Sequence, residues 1–446
     1  MVLPILKAHL LGRIHCPVKG TCGLETYYSL CYLAALAMLI AYINSRVGSV
    51  QSTITITAAS IVLSLLMILL GETGLLNSLP QLIESINAIN FQNLLLHGML
   101  GFLLFAGGLG INLKHLASQG VEIAVLALFS TLLSSFLVAG LLWCLLPYIG
   151  LPLDFIYCLL FGALISPTDP IAVLAIVKKM NAPQQIAIQV EGESLFNDGF
   201  GLVMFVSVFG IAFSHQSVSV PAISWLFLHE AGGGAIYGFV LGLIANYLIK
   251  HTEDDSLELL VSLAIPTAGF VFAEQLGVSG ALAMVVAGIY IGNITRERHF
   301  TQASKQSFDH LWHVLEEFLN NLLFLLIGLV LISFVFHLED LWLMLLAIPL
   351  VLLSRLVSVA LPYLGFSLFK KYNPMSVPIL TWGGLRGGLA LAMAMSVPAG
   401  VMVLPEKNID VREMILVMTY AVVVFSILVQ GASIVPLINK SKRYSS

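Results

Sequence analysis

The sequence predicts an all-α polytopic membrane protein with 13 transmembrane helices. Three observations carry this: few charged residues, apolar runs recurring almost end to end, and basic residues that favour alternate loops. The 446 residues are 59% hydrophobic and 10% charged, whereas soluble domains carry roughly a quarter charged residues. That deficit is too large for a surface solvated by water. The net charge of -4 offers no basic field for nucleic acid. The glycine stretches lie inside apolar runs and lack P-loop spacing, so no nucleotide site is expected. Cys144 and Cys158 fall in apolar runs, Cys31 opens one, and Cys16 and Cys22 lie in a polar stretch. They form neither a disulfide framework nor a metal-ligand spacing.

A membrane-spanning helix needs about 20 apolar residues, because its backbone groups must bond within the segment. The candidate spans, numbered 1 to 13, are 27–45, 51–71, 91–112, 121–147, 153–177, 185–213, 228–250, 256–276, 278–292, 312–338, 341–368, 376–397 and 412–437. Span 9 is short. Residues 74–90 alternate apolar and polar positions and are expected at the membrane interface. Residues 1–25 read as a tail, with a misassigned start codon as the other reading; Lys7, Arg13 and Lys19 lie there without a place in the pattern. Residues 26–437 form the membrane domain, and 438–446 a short cytoplasmic tail.

Loop charge tests the count, since cytoplasmic loops are enriched in Lys and Arg. The ends of odd-numbered spans carry Arg46, Lys114, Lys178, Lys179, Lys250, Arg296, Arg298, Lys305, Lys370, Lys371, Lys440, Lys442 and Arg443, thirteen in all. The even-numbered loops carry two, Lys407 and Arg412. The N-terminus is therefore expected outside and the C-terminus in the cytoplasm. An omitted or invented span would scramble this alternation.

Two spans are interrupted. Span 5 contains Ser166-Pro167-Thr168-Asp169-Pro170. Two prolines three apart remove backbone donors and disfavour helix before them, so the helix breaks near Thr168 and Asp169. Span 12 contains Gly383-Gly384-Leu385-Arg386-Gly387-Gly388, and four glycines around one arginine predict a second break. Paired broken helices in separate halves of the chain are the mark of transporters built from inverted repeats. Packing kinks are the plainer alternative, but an ionisable residue at each break favours a site.

The remaining ionisable residues inside spans are few, and such residues need a function or a partner. In span 6, Ser194 and Asp198 share one helix face and Glu193 and Asn197 a neighbouring one. A carboxylate, an amide and a hydroxyl are hard oxygen ligands suited to a small dehydrated cation. Asp198 is the candidate carrier of such a cation. Arg355 in span 11 requires a carboxylate, and Glu193 is the expected partner, leaving Asp198 free. Arg386 is placed to neutralise half-helix ends or to screen Asp169. His97 reads as a satisfied core histidine, Glu316 and Glu317 as interfacial, and Asn320 and Asn321 as hydrogen-bonding between helices. Glu191 and Glu274 are each balanced between an ion path and a wetted helix end.

These strings resemble the monovalent cation:proton antiporter-1 family, of the NhaP and NHE type. The matching stretches are Ser166 to Val173, Gly192 to Gly199, Gly384 to Gly387 and Phe324 to Gly328, and the likeness runs from about residue 26 to 437. The resemblance implies the NhaA/NhaP-like fold of 13 helices and a homodimer in the lipid bilayer. A core of spans 4–6 and 11–13 (121–213 and 341–437) would move against a dimerisation unit of spans 1–3 and 7–10 (27–112 and 228–338). It implies that Asp198 carries cation and proton in turn, with Asp169, Thr168, Ser194 and Asn197 shaping its site. It also implies electroneutral exchange, since Asn197 precedes Asp198. No enzyme activity and no cofactor are implied beyond the transported Na+, or another monovalent cation, and H+. A bacterial inner membrane is the expected location. Many relatives carry an acid where this chain has Ala106, which puts the preference for Na+ over K+ in question. A K+/H+ antiporter, a cation channel and an intramembrane enzyme using Asp169 with Asp198 are the rival readings.

Overall fold

The computed structural model describes residues 22–47, 51–73, 89–213, 220–252, 254–333, 340–404 and 409–444. Most of the expected N-terminal tail and of the interfacial stretch lies outside the described residues. Ten helices among those described are long and apolar enough to cross a membrane. They occupy spans 1–4, 6–8, 10, 11 and 13. Span 9 is a helix through Gly280–Tyr290, Ile291–Thr295 and Arg296–His299. Spans 5 and 12 are each two half-helices, Phe155–Ile165 with Ile171–Lys179 and Ser376–Trp382 with Gly388–Met395.

Helix starts follow capping chemistry. Asp254, Ser279, Thr301 and Asp410 each accept a hydrogen bond from a backbone N–H of the first turn, satisfying donors that a helix start leaves open. This explains one departure from expectation. Span 10 begins at Gln302 rather than near 312, because Thr301 caps it and Phe308 and Trp312 give its polar first turns a buried face. A second departure is a small antiparallel hairpin, β1 (Met402–Leu404) with β2 (Ile409–Asp410), in a protein expected to be wholly helical. It leads into span 13 through Val411 N–H donating to Val401 O.

Burial is inverted relative to a soluble protein. Glu193, Arg355, Arg386, Asn197 and Thr168 are buried, while Leu66, Phe136, Ile236, Leu345 and Leu364 lie exposed on outward faces. Such apolar outer faces are stable against hydrocarbon.

Span 9 is gripped on two sides by small residues. A Cβ on Gly108 would fall 2.7 Å from Val285 O, and one on Gly288 would fall 2.5 Å from Phe105 O. On the other side Gly234 and Gly238 bring span 7 onto Ser279 and Ala283. Small-residue stripes let backbones approach closely and gain dispersion contacts, the main attraction between helices in lipid. Spans 2 and 10 run in parallel register by the same means. Thr57 Oγ1 donates to Phe324 O at 3.5 Å and Ser64 Oγ to Gly328 O at 2.9 Å, while Gly328 has no room for a side chain beside Ser60.

Candidate functional site

The two interrupted spans cross. Residues 166–170 leave the helix after Ile165, and residues 383–387 leave it after Trp382. The stretches meet as one antiparallel bridge, in which Asp169 N–H donates to Leu385 O at 2.9 Å. Gly387 is required by close approach: a Cβ there would occupy the space of the Asp169 carboxylate. Asp169 Oδ1 in turn accepts the N–H of Ile171 at 2.9 Å, closing the start of the second half-helix.

Span 6 passes beside this crossing and builds a buried polar network. Asn197 Nδ2 donates to Thr168 Oγ1 at 2.8 Å and to Glu193 Oε1 at 2.7 Å. Thr168 N–H donates back to Asn197 Oδ1 at 3.2 Å, and Thr168 Oγ1 lies 3.2 Å from Ser194 Oγ. Arg355 Nη2 donates to Glu193 Oε2 at 2.7 Å and to Leu380 O at 3.3 Å. Both members of this ion pair are buried. Arg386 Nη1 donates to Gly384 O at 2.8 Å, at the carbonyl end of the first half-helix. Its backbone is held on both sides by Ser426, which accepts from Arg386 N and donates to Arg386 O.

The structure thus gathers Thr168, Ser194 and Asn197 around Glu193. Asp198 stands apart from that network. It is half-buried, has no hydrogen-bond partner among the described residues, and lies within electrostatic range of Asp169, Glu193 and Arg386. It faces a cavity of about 460 Å³ that also exposes Asp169, Ala106, Gly107, Asn320 and Asn321. Farther along the same cavity lie Lys178, Glu191, His313, Glu316 and Glu317. Lys178 Nζ bonds Glu191 Oε1 at 3.0 Å there.

Three sequence expectations change. His97 is exposed on a π-turn of span 3, and its Nδ1 lies 3.2 Å from Glu274 Oε1 on span 8, so it is not a core histidine. Glu316 and Glu317 line the cavity rather than an outer interface. Asn320 Oδ1 makes no hydrogen bond between helices, being buried and without a partner among the described residues. Sequence reasoning also missed Gln51 and Thr53 as cavity residues; the polar run Gln51-Ser52-Thr53 at the head of an apolar span was the available signal.

Half-helices that cross beside half-buried acidic residues, inside a bundle with an apolar exterior, define a class of secondary membrane transporters. The chain belongs to the sodium/hydrogen exchanger family: the family model "Sodium/hydrogen exchanger, transmembrane" matches residues 35–440. It is 40% identical over 414 residues to the Na(+)/H(+) antiporter NhaP of Pseudomonas aeruginosa, covering 91% of this chain and 95% of that one. It is 31% identical to the Na(+)/H(+) antiporter NhaH of Halobacillus aidingensis, over 84% of this chain and 91% of that protein. Its fold matches the sodium proton antiporter MjNhaP1 of Methanocaldococcus jannaschii with a TM-score of 0.70 at 19% identity, over 94% of this chain and 99% of that one.

Proposed function

We propose that this protein is a secondary antiporter that exchanges Na+, or Li+, for H+ one for one, with Asp198 as the shared carrier. The observation that carries this is Asp198 itself: a carboxylate facing a cavity, beside two crossed half-helices, with no hydrogen-bond partner among the described residues. A bare carboxylate in a dry site is unfavourable. A cation or a proton neutralises it, and the two compete. The protein then changes access only when loaded, so each return carries the other ion and two gradients are coupled without ATP.

In this reading Asp169, Thr168, Ser194 and Asn197 shape the site, the Glu193–Arg355 pair holds spans 6 and 11 together, and Arg386 offsets the exposed half-helix carbonyls. Spans 4–6 and 11–13 form the moving core, and spans 1–3 and 7–10 the dimerising unit of a homodimer. The excess of basic residues in alternate loops, with an odd number of crossings, thirteen, supports an N-terminus outside and a C-terminus in the cytoplasm, in a bacterial inner membrane. A K+/H+ antiporter on the same site is the second reading, favoured by Ala106, which presents a methyl group to the cavity instead of an oxygen.

The test is proton flux in proteoliposomes carrying a pH-sensitive dye, with Na+, Li+ or K+ added in turn. Wild type responds to Na+ or Li+, and Asp198→Ala abolishes the response. Flux that survives in Asp198→Ala overturns the carrier assignment, and silence toward all three cations overturns the antiport reading.

A further inference from the structure

We infer a second monovalent-cation site in the same cavity, on the wall built by spans 2 and 10. Its ligands are Thr53 Oγ1, Asn320 Oδ1 and Gln51 Oε1, with Glu316 supplying charge. Each of those three oxygens is buried and lacks a hydrogen-bond partner among the described residues, and each of their residues lines the cavity. Thr53 and Asn320 are both 6% exposed. Buried acceptors of this kind are rare and call for a partner that the protein itself does not supply.

The helix register brings them together. Thr57 Oγ1 bonds Phe324 O, and Ser64 Oγ bonds Gly328 O, so spans 2 and 10 climb side by side. One turn back from Thr57 and Phe324 stand Thr53 and Asn320. One further turn back along span 10 stands Glu316, half-buried and on the face of Asn320. Gln51 adjoins the start of span 2, and its Nε2 donates to Ile171 O at 3.4 Å, which leaves Oε1 free. A hydroxyl, two amide oxygens and a carboxylate form a hard-oxygen set with one negative charge, the chemistry that suits a monovalent cation. The Gln51 bond ties this wall to the half-helix that follows Asp169. The residues that carry these oxygens line the same cavity as Asp198, just behind its surface, together with Glu191, Lys178, His313 and Glu317. The site therefore serves the antiport proposed above as a recruiting station, on a cavity where Ala106 offers no ligand.

The test combines equilibrium binding of 22Na+ to the purified full-length protein with flux in proteoliposomes. Asp198→Asn is expected to lose transport yet keep Na+ binding, and adding Asn320→Leu to it is expected to remove that binding. In otherwise wild-type protein, Thr53→Val is expected to raise the KM for Na+ roughly tenfold, far more than it changes kcat, for the loss of one ligand. Thr53→Ser, which keeps the oxygen, restores the wild-type KM, and matched melting temperatures for the two Thr53 variants separate ligation from folding. Absence of Na+ binding in Asp198→Asn, or a wild-type KM in Thr53→Val, overturns the site. If wild type carries no cation-coupled flux, the antiport reading fails, and the binding measurement still decides the site.

Discussion

The crossing of spans 5 and 12 and the sandwich of spans 3, 7 and 9 solve one problem in opposite ways. Both bring helices into close contact where water is scarce. The sandwich does so with glycine and alanine at the contacts, so that Gly288 lies on the carbonyl of Phe105 and Gly108 on that of Val285. Its elements stay helical at these contacts, and a few side-chain bonds add to the packing: Asn293 Nδ2 donates to Ile111 O at 2.8 Å and Thr295 Oγ1 to Asn246 Oδ1 at 3.0 Å. The crossing gives up those bonds over residues 166–170 and 383–387 and rebuilds them from Asp169, Arg386, Ser426 and Asn197. The difference teaches where specificity resides. A packed stripe depends on the size of its residues, down to a single methyl group, whereas a broken helix depends on particular polar side chains.

The largest expected effect breaks the polar side of this comparison. Arg355→Leu leaves Glu193 buried and unpaired, a loss of about 3–5 kcal/mol. It should appear as a steep fall in the melting temperature of detergent-solubilised protein. Glu193→Gln added to Arg355→Leu removes the stranded charge and should recover part of that loss. A melting temperature unchanged in the single variant would mean that the pair does not hold spans 6 and 11.

Adding one methyl group to each region sharpens the contrast. Gly288→Ala overpacks the sandwich, at a cost of about 1–3 kcal/mol, and should lower the melting temperature while the folded fraction keeps its cation-coupled flux. Gly387→Ala drives its methyl into the Asp169 carboxylate and should lose flux even in protein that remains folded. Equal behaviour of the two variants in both assays would erase the distinction between the regions.

The smallest effect comes from an exposed pair past the apolar part of span 9, away from both sets of contacts. Lys305 Nζ bonds Glu297 Oε2 at 2.9 Å on an exposed segment, and that bond holds the Glu297 carboxyl below the usual carboxylate range. A lowered value in the folded state means stability present above the ordinary glutamate pKa and lost as pH falls through the folded one. Full exposure screens this contribution. Glu297→Gln should therefore melt with wild type at pH 7, and a clear drop there would show the pair to be better sheltered than its exposure implies.

Much of this architecture was legible in the residues. Pro167 with Pro170, and the glycines flanking Arg386, mark the breaks because each acts on its own backbone. The need of Arg355 for a carboxylate led to Glu193, since a lone arginine is not stable among apolar helices. Helix spacing placed Asn197 beside Glu193, and the structure bonds them; the same spacing placed Ser194 beside Asp198, yet Ser194 Oγ lies against Thr168. Spacing fixes a face, and the rotamer that fills it depends on neighbours from other spans. The wall of Thr53 and Asn320 was hidden for a related reason. Those residues are far apart in the chain, and only the parallel register of two helices makes them neighbours. His97 looked internal because its span is apolar, while the π-turn turns it outward toward Glu274.

The bridge between Asp169 and Leu385 has a consequence for engineering. It joins an amide to a carbonyl, so both partners belong to the main chain and, proline at 169 aside, substituting either side chain leaves the bond atoms in place. This one contact of the crossing therefore survives a change of side chain on either strand of the bridge. A designer who rewrites side chains around the crossing inherits this stitch between the two halves of the chain, whereas the bond from Thr168 N–H to Asn197 Oδ1 has to be supplied anew if position 197 changes.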